Sequence, residues 1–429
     1  MPVRGFLHRR DVQLTLGILA MIMIANLQYS WTLFVQPLQD AHGWSKPQIQ
    51  SAFFFFVLFQ TWLVPVNGWL VDRFGPRPFV LIAALFVGGS WLIFAHAQTL
   101  EMLYTGSVLA GIGAGCVYGT MVGSAVKWFP DKRGLAVGLT AAGFGAGAAL
   151  TVLPINMMIH TGGYASAFSF FGWLQGIALL VIALFLRFPE KGQVPISLHR
   201  LRQTSRDRTP AQMLRSPTFY VMYLMFVMIA TGLVFITAQV APLAKDYGID
   251  KVPLNIFGWV VLALPFALVV DNVLNGASRT LFGWLSDWIG REITMSIAFS
   301  IEAAALIGLL FCSHHPWLFV LCAGATFVAS GEIYSLFPAT CTDIFGTRYA
   351  STNAGLLYTA KGTAALVVPL ASLIHDATGS WASILLVLAA FNVITALLAF
   401  LVLKPMRERT LAQEVIEDLP MPGTLATSH

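Results

Sequence analysis

Charge is what this sequence has least of. Only 10% of its 429 residues are Asp, Glu, Lys or Arg, where a soluble domain carries about 25%. That scarcity excludes an ordinary water-solvated fold and makes the lipid bilayer the expected solvent. Cysteine is equally sparse. The four present, Cys116, Cys312, Cys322 and Cys341, fall in or at apolar runs. None has metal-ligand spacing, so they read as packing residues and no metal site is expected. The chain also lacks a visible nucleophile–base pair, a phosphate-binding loop and an appended soluble domain. An enzyme is therefore not expected, and no cofactor is implied. A membrane sensor that binds ligand without flux is the reading from another class. Apolar and polar residues do not alternate strictly, which argues against barrel strands. Met1 to Gln13 precede the first apolar run. They are short and lack a small-residue cleavage pattern, so no removable signal peptide is expected.

What is present is apolar: 57% of the residues are hydrophobic. A helix crossing the hydrocarbon core needs about 20 apolar residues. Twelve such stretches can be marked, at 14–37, 48–71, 78–97, 101–126, 134–157, 165–187, 217–243, 255–283, 293–313, 316–341, 349–374 and 380–403. The fold class expected is an all-α membrane protein with twelve transmembrane helices.

The net charge of +5 would suit nucleic acid, but its distribution suits a membrane. Of the 25 lysines and arginines, Arg279 and Lys361 lie inside spans, and Lys46, Lys245 and Lys251 lie on one side. The remaining 20 lie on the side that holds both termini. The positive-inside rule makes that side cytoplasmic. The segment 188–216 carries Lys191, Arg200, Arg202, Arg206, Arg208 and Arg215. It reads as a topology signal and a linker contacting lipid headgroups, not as a nucleic-acid surface.

The chain repeats itself. Gly68-Trp69-Leu70-Val71-Asp72-Arg73-Phe74-Gly75-Pro76-Arg77 follows the second span. Gly283-Trp284-Leu285-Ser286-Asp287-Trp288-Ile289-Gly290-Arg291 follows the eighth, 215 residues later. Arg133 and Arg348, which open spans five and eleven, are again 215 apart. Two six-helix halves follow, with expected bounds of 1–187 and 217–403, a basic linker at 188–216 and a tail at 404–429.

The first of these loops resembles the signature loop of the major facilitator superfamily. That implies a major facilitator fold of two six-helix pseudo-repeated halves. Asp72 can face the positive N-terminus of a neighbouring helix, and arginines can pair with it. By resemblance, Gly68, Asp72, Arg73, Gly75 and Arg77, with Asp287 and Arg291 of the second copy, form a conformational latch rather than a substrate site. Span four carries Gly111, Gly115, Gly119 and Gly123, and span five Gly134, Gly138, Gly143, Gly145 and Gly147. These small faces permit close helix packing and a sliding surface between the halves.

A lysine or arginine at mid-membrane costs roughly 2.5–3.5 kcal/mol on insertion scales. Arg279 and Lys361 therefore read as a cationic site for an anion, with a structural ion pair as the bland alternative. Asp271, Asn275 and Arg279 share one helical face. Asp271 is about 12 Å from Arg279 along the axis, too far for direct pairing. Glu302, mid-span among alanines, is expected to be peripheral or paired, while Glu332 can reach the centre. The positions 215 residues before the cations are Val64 and Ala146, so the charges break the repeat. Gln28, Tyr29, Tyr118, Tyr334 and Tyr358 sit at similar depth and can close a cavity while donating hydrogen bonds to an anion.

A narrower resemblance rests on Leu27-Gln28-Tyr29-Ser30-Trp31-Thr32-Leu33, on Lys127-Trp128-Phe129-Pro130-Asp131-Lys132-Arg133-Gly134-Leu135-Ala136 with Thr140-Ala141-Ala142-Gly143, and on Leu336-Phe337-Pro338-Ala339-Thr340 through Asp343-Ile344-Phe345-Gly346 to Ala360-Lys361. These stretches, in both halves, resemble the bacterial oxalate:formate antiporter family. The resemblance implies that Arg279 and Lys361 hold two carboxylates inside an aromatic cage of Gln28, Tyr29, Tyr118, Tyr334 and Tyr358. It implies small organic anions as partners, an inner-membrane location and a functional monomer. There are departures. Phe144 stands where the family has a tyrosine, Tyr358 and Ser330 replace tryptophans, and Glu332 replaces a glycine. A carboxylate beside the site repels an anion unless protonated or turned away. Glu332 and Asp271 are therefore candidate proton or pocket-tuning residues. The alternative function is proton-coupled monocarboxylate symport.

Overall fold

The structure is a computed structural model. It describes residues 9–190, 193, 203–204, 206–249, 252–256, 258–312, 315–365, 371, 374–375 and 377–417. Outside them lie Lys251, most of 191–202 in the linker, 366–370 of span eleven, and 418–429 of the tail.

Backbone N–H and C=O groups find no partner in lipid, so a spanning chain must satisfy them within its own helices. The described residues do so almost throughout. Span one is Arg10–Tyr29 continued by Thr32–His42, and span two is Lys46–Trp62 continued by Val64–Phe74. Spans three and four are Pro76–Ala95 and Leu100–Trp128. Arg133–Phe185 is interrupted at Gly163, whose φ of 78° is outside helical geometry, and so supplies spans five and six. After the short helix Pro210–Leu214, the second half runs through Pro217–Asp246, Ala263–Ile289, Arg291–Leu309, Pro316–Ser330 with Ile333–Phe345, Ala350–Ala365, and Ala382–Leu398.

Among the described residues, eight helices are each long and apolar enough to cross a membrane. A ninth is the pair Ser51–Trp62 and Val64–Phe74, bent by 42°. The fifth, eighth and eleventh expected spans are not among these nine, and residues 366–370 of the eleventh lie outside the described residues. Large side chains at the perimeter confirm which solvent the fold is built for. Phe311, Leu321 and Met157 are each more than 60% exposed, tolerable against acyl chains and costly in water.

Two differences from the sequence reading stand out. Span eight begins at Ala263, not near 255, because Pro253–Ile256 and Trp259–Leu262 pair as a small antiparallel hairpin, with Ile256 opposite Trp259. Gly258, with φ 88°, donates its N–H to Asn255 Oδ1 and closes the turn. The tail expected from 404 also continues directly from the last span. A π-helical turn, Ala399–Leu403, leads into the helix Lys404–Glu417, which Arg407 anchors to Glu292 at 2.7 Å.

Spans one and ten are broken at Ser30–Trp31 and Gly331–Glu332. A proline follows each break inside the next helix, Pro37 and Pro338. A helical proline removes one N–H and crowds the carbonyl four residues back. Both breaks lie beside the residues that build the centre of the molecule.

Candidate functional site

The two intramembrane cations converge. Arg279 is 1% exposed and Lys361 5%, and both lean on Tyr334. The guanidinium carbon is 4.5 Å and the ammonium nitrogen 5.7 Å from its ring centroid. Arg279 donates from Nη1 to the Ala141 carbonyl at 3.0 Å. From Nη2 it donates to Asn275 Oδ1 at 2.6 Å and to the Tyr29 hydroxyl at 3.4 Å. Lys361 donates to Gln28 Oε1 at 3.4 Å and to the Tyr358 hydroxyl at 3.3 Å. Both cations sit in the second half, yet Ala141, Tyr29 and Gln28 belong to the first. The cationic centre therefore lies on the seam between the halves.

Aromatic rings wall it in. Tyr118 stacks on Tyr358 with centroids 4.8 Å apart and meets Tyr334 edge-on at 6.4 Å. Phe144 packs edge-on against Tyr29 at 5.2 Å and Tyr118 at 5.8 Å. The Tyr118 hydroxyl has no hydrogen-bond partner among the described residues. It is buried and available to an incoming acceptor. All seven residues expected at the centre are brought together. Among the described residues no carboxylate pairs with Arg279 or Lys361, so the structural ion pair is not formed there.

The acids occupy other places. Asp271 is buried but does not bond Arg279, as its two-turn separation requires. Asn275, between them, accepts from Arg279 and donates to the Phe327 carbonyl of span ten. Glu332 is fully buried at the break in span ten, and its oxygens find no hydrogen-bond partner among the described residues. Gly331 beside it presses on Ser278 and Asn275. Glu302, expected at the periphery or in an ion pair, is instead fully buried, makes no ion pair among the described residues and, with Asn392, faces Gly232 of span seven.

A second cluster ties the two halves together where spans two and eight end and spans five and eleven begin. Asp72 accepts from the Ser351 and Thr352 backbone N–H groups, at 3.3 and 2.8 Å, and from the Thr352 hydroxyl at 2.8 Å. It thereby caps span eleven of the other half. Its cationic partner is Lys127 at 2.6 Å, not one of the loop arginines. Arg73 packs on Trp69 and Phe74 instead, and Arg77 bonds no described residue. Asp287 repeats the arrangement in reverse, accepting from Gly134 and Leu135 N–H at the start of span five. Arg291 joins Asp287 to Asp343 at 2.5 and 2.9 Å, and Arg133 joins Asp343 at 2.7 Å. Gly68 brings span two against the Ser351 backbone, while Gly75, with φ 85°, ends that span.

Glycines set the seam. A Cβ on Gly134, Gly138 or Gly145 would run into Gly283, the Arg279 carbonyl or Gly276, so spans five and eight touch backbone to backbone. Gly143 and Gly147 do the same against Ile18 and Ile22 of span one. The span-four stripe packs on span two, and its last member, Gly123, reaches Ser351. Sequence reasoning did not anticipate Asn275, the Ala141 carbonyl or the bridging role of Asp343. The spacing of Asn275 to Arg279 was the only available signal among them.

Two helical halves that meet around buried cations and are bonded to each other at one end suit a secondary transporter of the membrane. The chain belongs to the Major Facilitator Superfamily and, within it, to the family of the oxalate:formate antiporter. The superfamily profile matches residues 16–369 and 254–422. The chain is 35% identical over 370 residues to the oxalate:formate antiporter of Oxalobacter formigenes, covering 84% of each protein. It is 25% identical over 350 residues to monocarboxylate transporter 11 of Mus musculus, covering 76% of this chain and 72% of that one. The fold is similar to that of the Escherichia coli fucose:proton symporter FucP, with a TM-score of 0.68 at 15% identity, covering 93% of this chain and 99% of that one.

Proposed function

We propose that this transporter exchanges oxalate for formate across the bacterial inner membrane, with both termini cytoplasmic. The observation that carries the reading is the pair Arg279 and Lys361, buried on one ring and paired with no carboxylate among the described residues. Oxalate is a dianion at neutral pH. Arg279 can grip one carboxylate in a bidentate fork, while Lys361 supplies a point charge to the other. Gln28, Tyr29, Tyr118 and Tyr358 offer donors around it. The antiporter relative at 35% identity supports the same substrate class.

The cations repel each other when the site is empty, and a dianion neutralises both. Loading thus lowers a barrier to closure, and an empty carrier closes poorly, which enforces exchange over leak. Closure at the terminal end is the work of Asp72, Asp287, Asp343, Arg133 and Arg291. Alternating access requires these bonds to break and re-form once per half-cycle. Moving a dianion in for a monoanion out transfers one negative charge, at about 2.3 kcal/mol per 100 mV.

The test is labelled oxalate uptake into proteoliposomes without a pH gradient, loaded with oxalate, formate, lactate or nothing. Fast uptake only over internal oxalate or formate supports the exchanger. Proton-coupled monocarboxylate symport is the second reading, favoured by the buried carboxyls of Asp271 and Glu332 and by the monocarboxylate relative. No oxalate uptake under any loading, with lactate uptake once an inward proton gradient is imposed, would select it.

A further inference from the structure

Beside the terminal end of span seven is a cavity of about 460 Å³, within the range of ligand sites. Three arginines line it, Arg208 and Arg215 from the linker and Arg409 from the terminal helix, with Ser216, Thr218 and Gln413. Glu414 occupies Arg208 at 3.3 Å, whereas Arg215 and Arg409 bond no described acid. Ser216 is the N-cap of the 30-residue helix Pro217–Asp246, and its hydroxyl makes no capping bond. The first-turn amides of a long helix carry partial positive charge and lack intrahelical acceptors. Two guanidinium groups with no described acid and a helix N-terminus thus line one concave space.

We infer that this cavity binds the phosphate headgroup of an anionic phospholipid. The chemistry is that of any phosphate: guanidinium forks, hydroxyl and amide donors, and a positive helix end. Position selects the lipid as its source. Tyr220 and Leu224 on one flank, and Phe400 and Leu401 on the other, are about half exposed or more, a surface for acyl chains running away from the cavity. Lys404 rides over Phe400 at 5.0 Å, a further cation on that surface. Basic pockets beside spanning helices on the cytoplasmic side suit anionic headgroups.

The site also joins parts of the chain that are remote in sequence. Thr204 donates to Glu414 at 2.7 Å, Asp207 accepts from the Thr347 and Arg348 N–H groups at 2.9 Å, and Asn353 donates to the Arg208 carbonyl at 3.2 Å. A headgroup there would hold linker, tail helix and the start of span eleven as one unit. This inference does not depend on which anion the carrier moves.

The experiment uses the full-length protein, delipidated in detergent, with phosphatidylglycerol, phosphatidylcholine of the same chains, or inorganic phosphate. Bound lipid is counted by native mass spectrometry, and the thermal midpoint is followed in parallel. Expected is retention of phosphatidylglycerol over phosphatidylcholine, reduced roughly tenfold in the doubly substituted Arg215→Gln/Arg409→Gln protein and partly restored by Arg→Lys at both positions. Both arginines are exposed, so the variants should fold. Equal retention of the two lipids, or unchanged preference in the variant, overturns the inference. Stabilisation by inorganic phosphate with none by phosphatidylglycerol overturns the lipid assignment.

Discussion

Arg279 and Lys361 share one aromatic ring: the guanidinium carbon lies 4.5 Å and the ammonium nitrogen 5.7 Å from the Tyr334 centroid. Like charges this close repel in a low-dielectric interior. The ring's negative face offsets part of that repulsion at both ends, worth about 2 kcal/mol or more for a desolvated cation. Tyr334→Phe keeps the face and Tyr334→Leu removes it. Transport should survive the first with a modest change in apparent affinity and fall by roughly tenfold or more in the second. Counterflow rates of the two variants, normalised to protein inserted, provide the check.

Arg279→Gln and Lys361→Gln should each abolish exchange while the protein still inserts. Each removes one of two charges for which the site offers no substitute, a loss of about 2–5 kcal/mol for a buried charge-assisted contact. Arg279→Lys should also be severely impaired, because the fork that spans Ala141, Asn275 and Tyr29 is lost. Robust flux in any of the three would remove the cationic-site reading.

Asp343→Ala should lower the thermal midpoint strongly. It strands Arg133, buried at 5% exposure, and removes one of the two carboxylates that Arg291 holds, and breaking a buried pair costs about 3–5 kcal/mol. Asp72→Asn should be milder, since the amide oxygen still accepts from span eleven while the Lys127 pair goes. Thermal unfolding of both variants in one detergent ranks them, and equal midpoints would contradict the central place given to Asp343.

Gly138→Ala should insert normally and transport slowly. Its Cβ would meet the Arg279 carbonyl, so spans five and eight could not close to their present distance. Gly89→Ala is the control, because a Cβ there meets nothing within 4 Å. If both variants transport alike, the close seam has no functional weight.

Glu332→Gln tests the two functional readings. The substitution keeps shape and removes the ability to carry a charge or a proton. For an exchanger, oxalate flux should stay close to wild type, since no described partner is lost. For a proton-coupled symporter, uptake driven by a pH gradient should collapse.

Much of this was legible in the chain itself. Scarce charge and twelve apolar runs point to a membrane bundle, and the 215-residue offset of Asp72 and Asp287 to two halves. Arg279 and Lys361 stood out because charge in an apolar run is costly. Neither the hairpin at 253–262 nor the helix at 404–417 was readable. The first is a run of apolar residues too short to be told from a helix start. The second is polar on average and held in place by Glu292 and Arg208, remote in sequence. The part played by Asp343 was hidden for the same reason: an acid at a span end looks the same whether it meets water or two arginines from different spans. Asn275 and the Ala141 carbonyl act through geometry that only packing creates.

Span eight carries both Arg279, at the centre, and Asp287, at the end where the halves are bonded, about 12 Å apart at 1.5 Å per residue. The glycine contacts with span five leave no side-chain layer between the two backbones to absorb a small displacement. On the proposed function, holding the cargo at Arg279 and shutting the end at Asp287 are then one motion of one rigid rod. An anion that fits badly would be penalised less in how tightly it is held than in how often the door completes its swing. Selectivity in such a machine is a property of its speed. Competing carboxylates should differ more in turnover than in half-saturation.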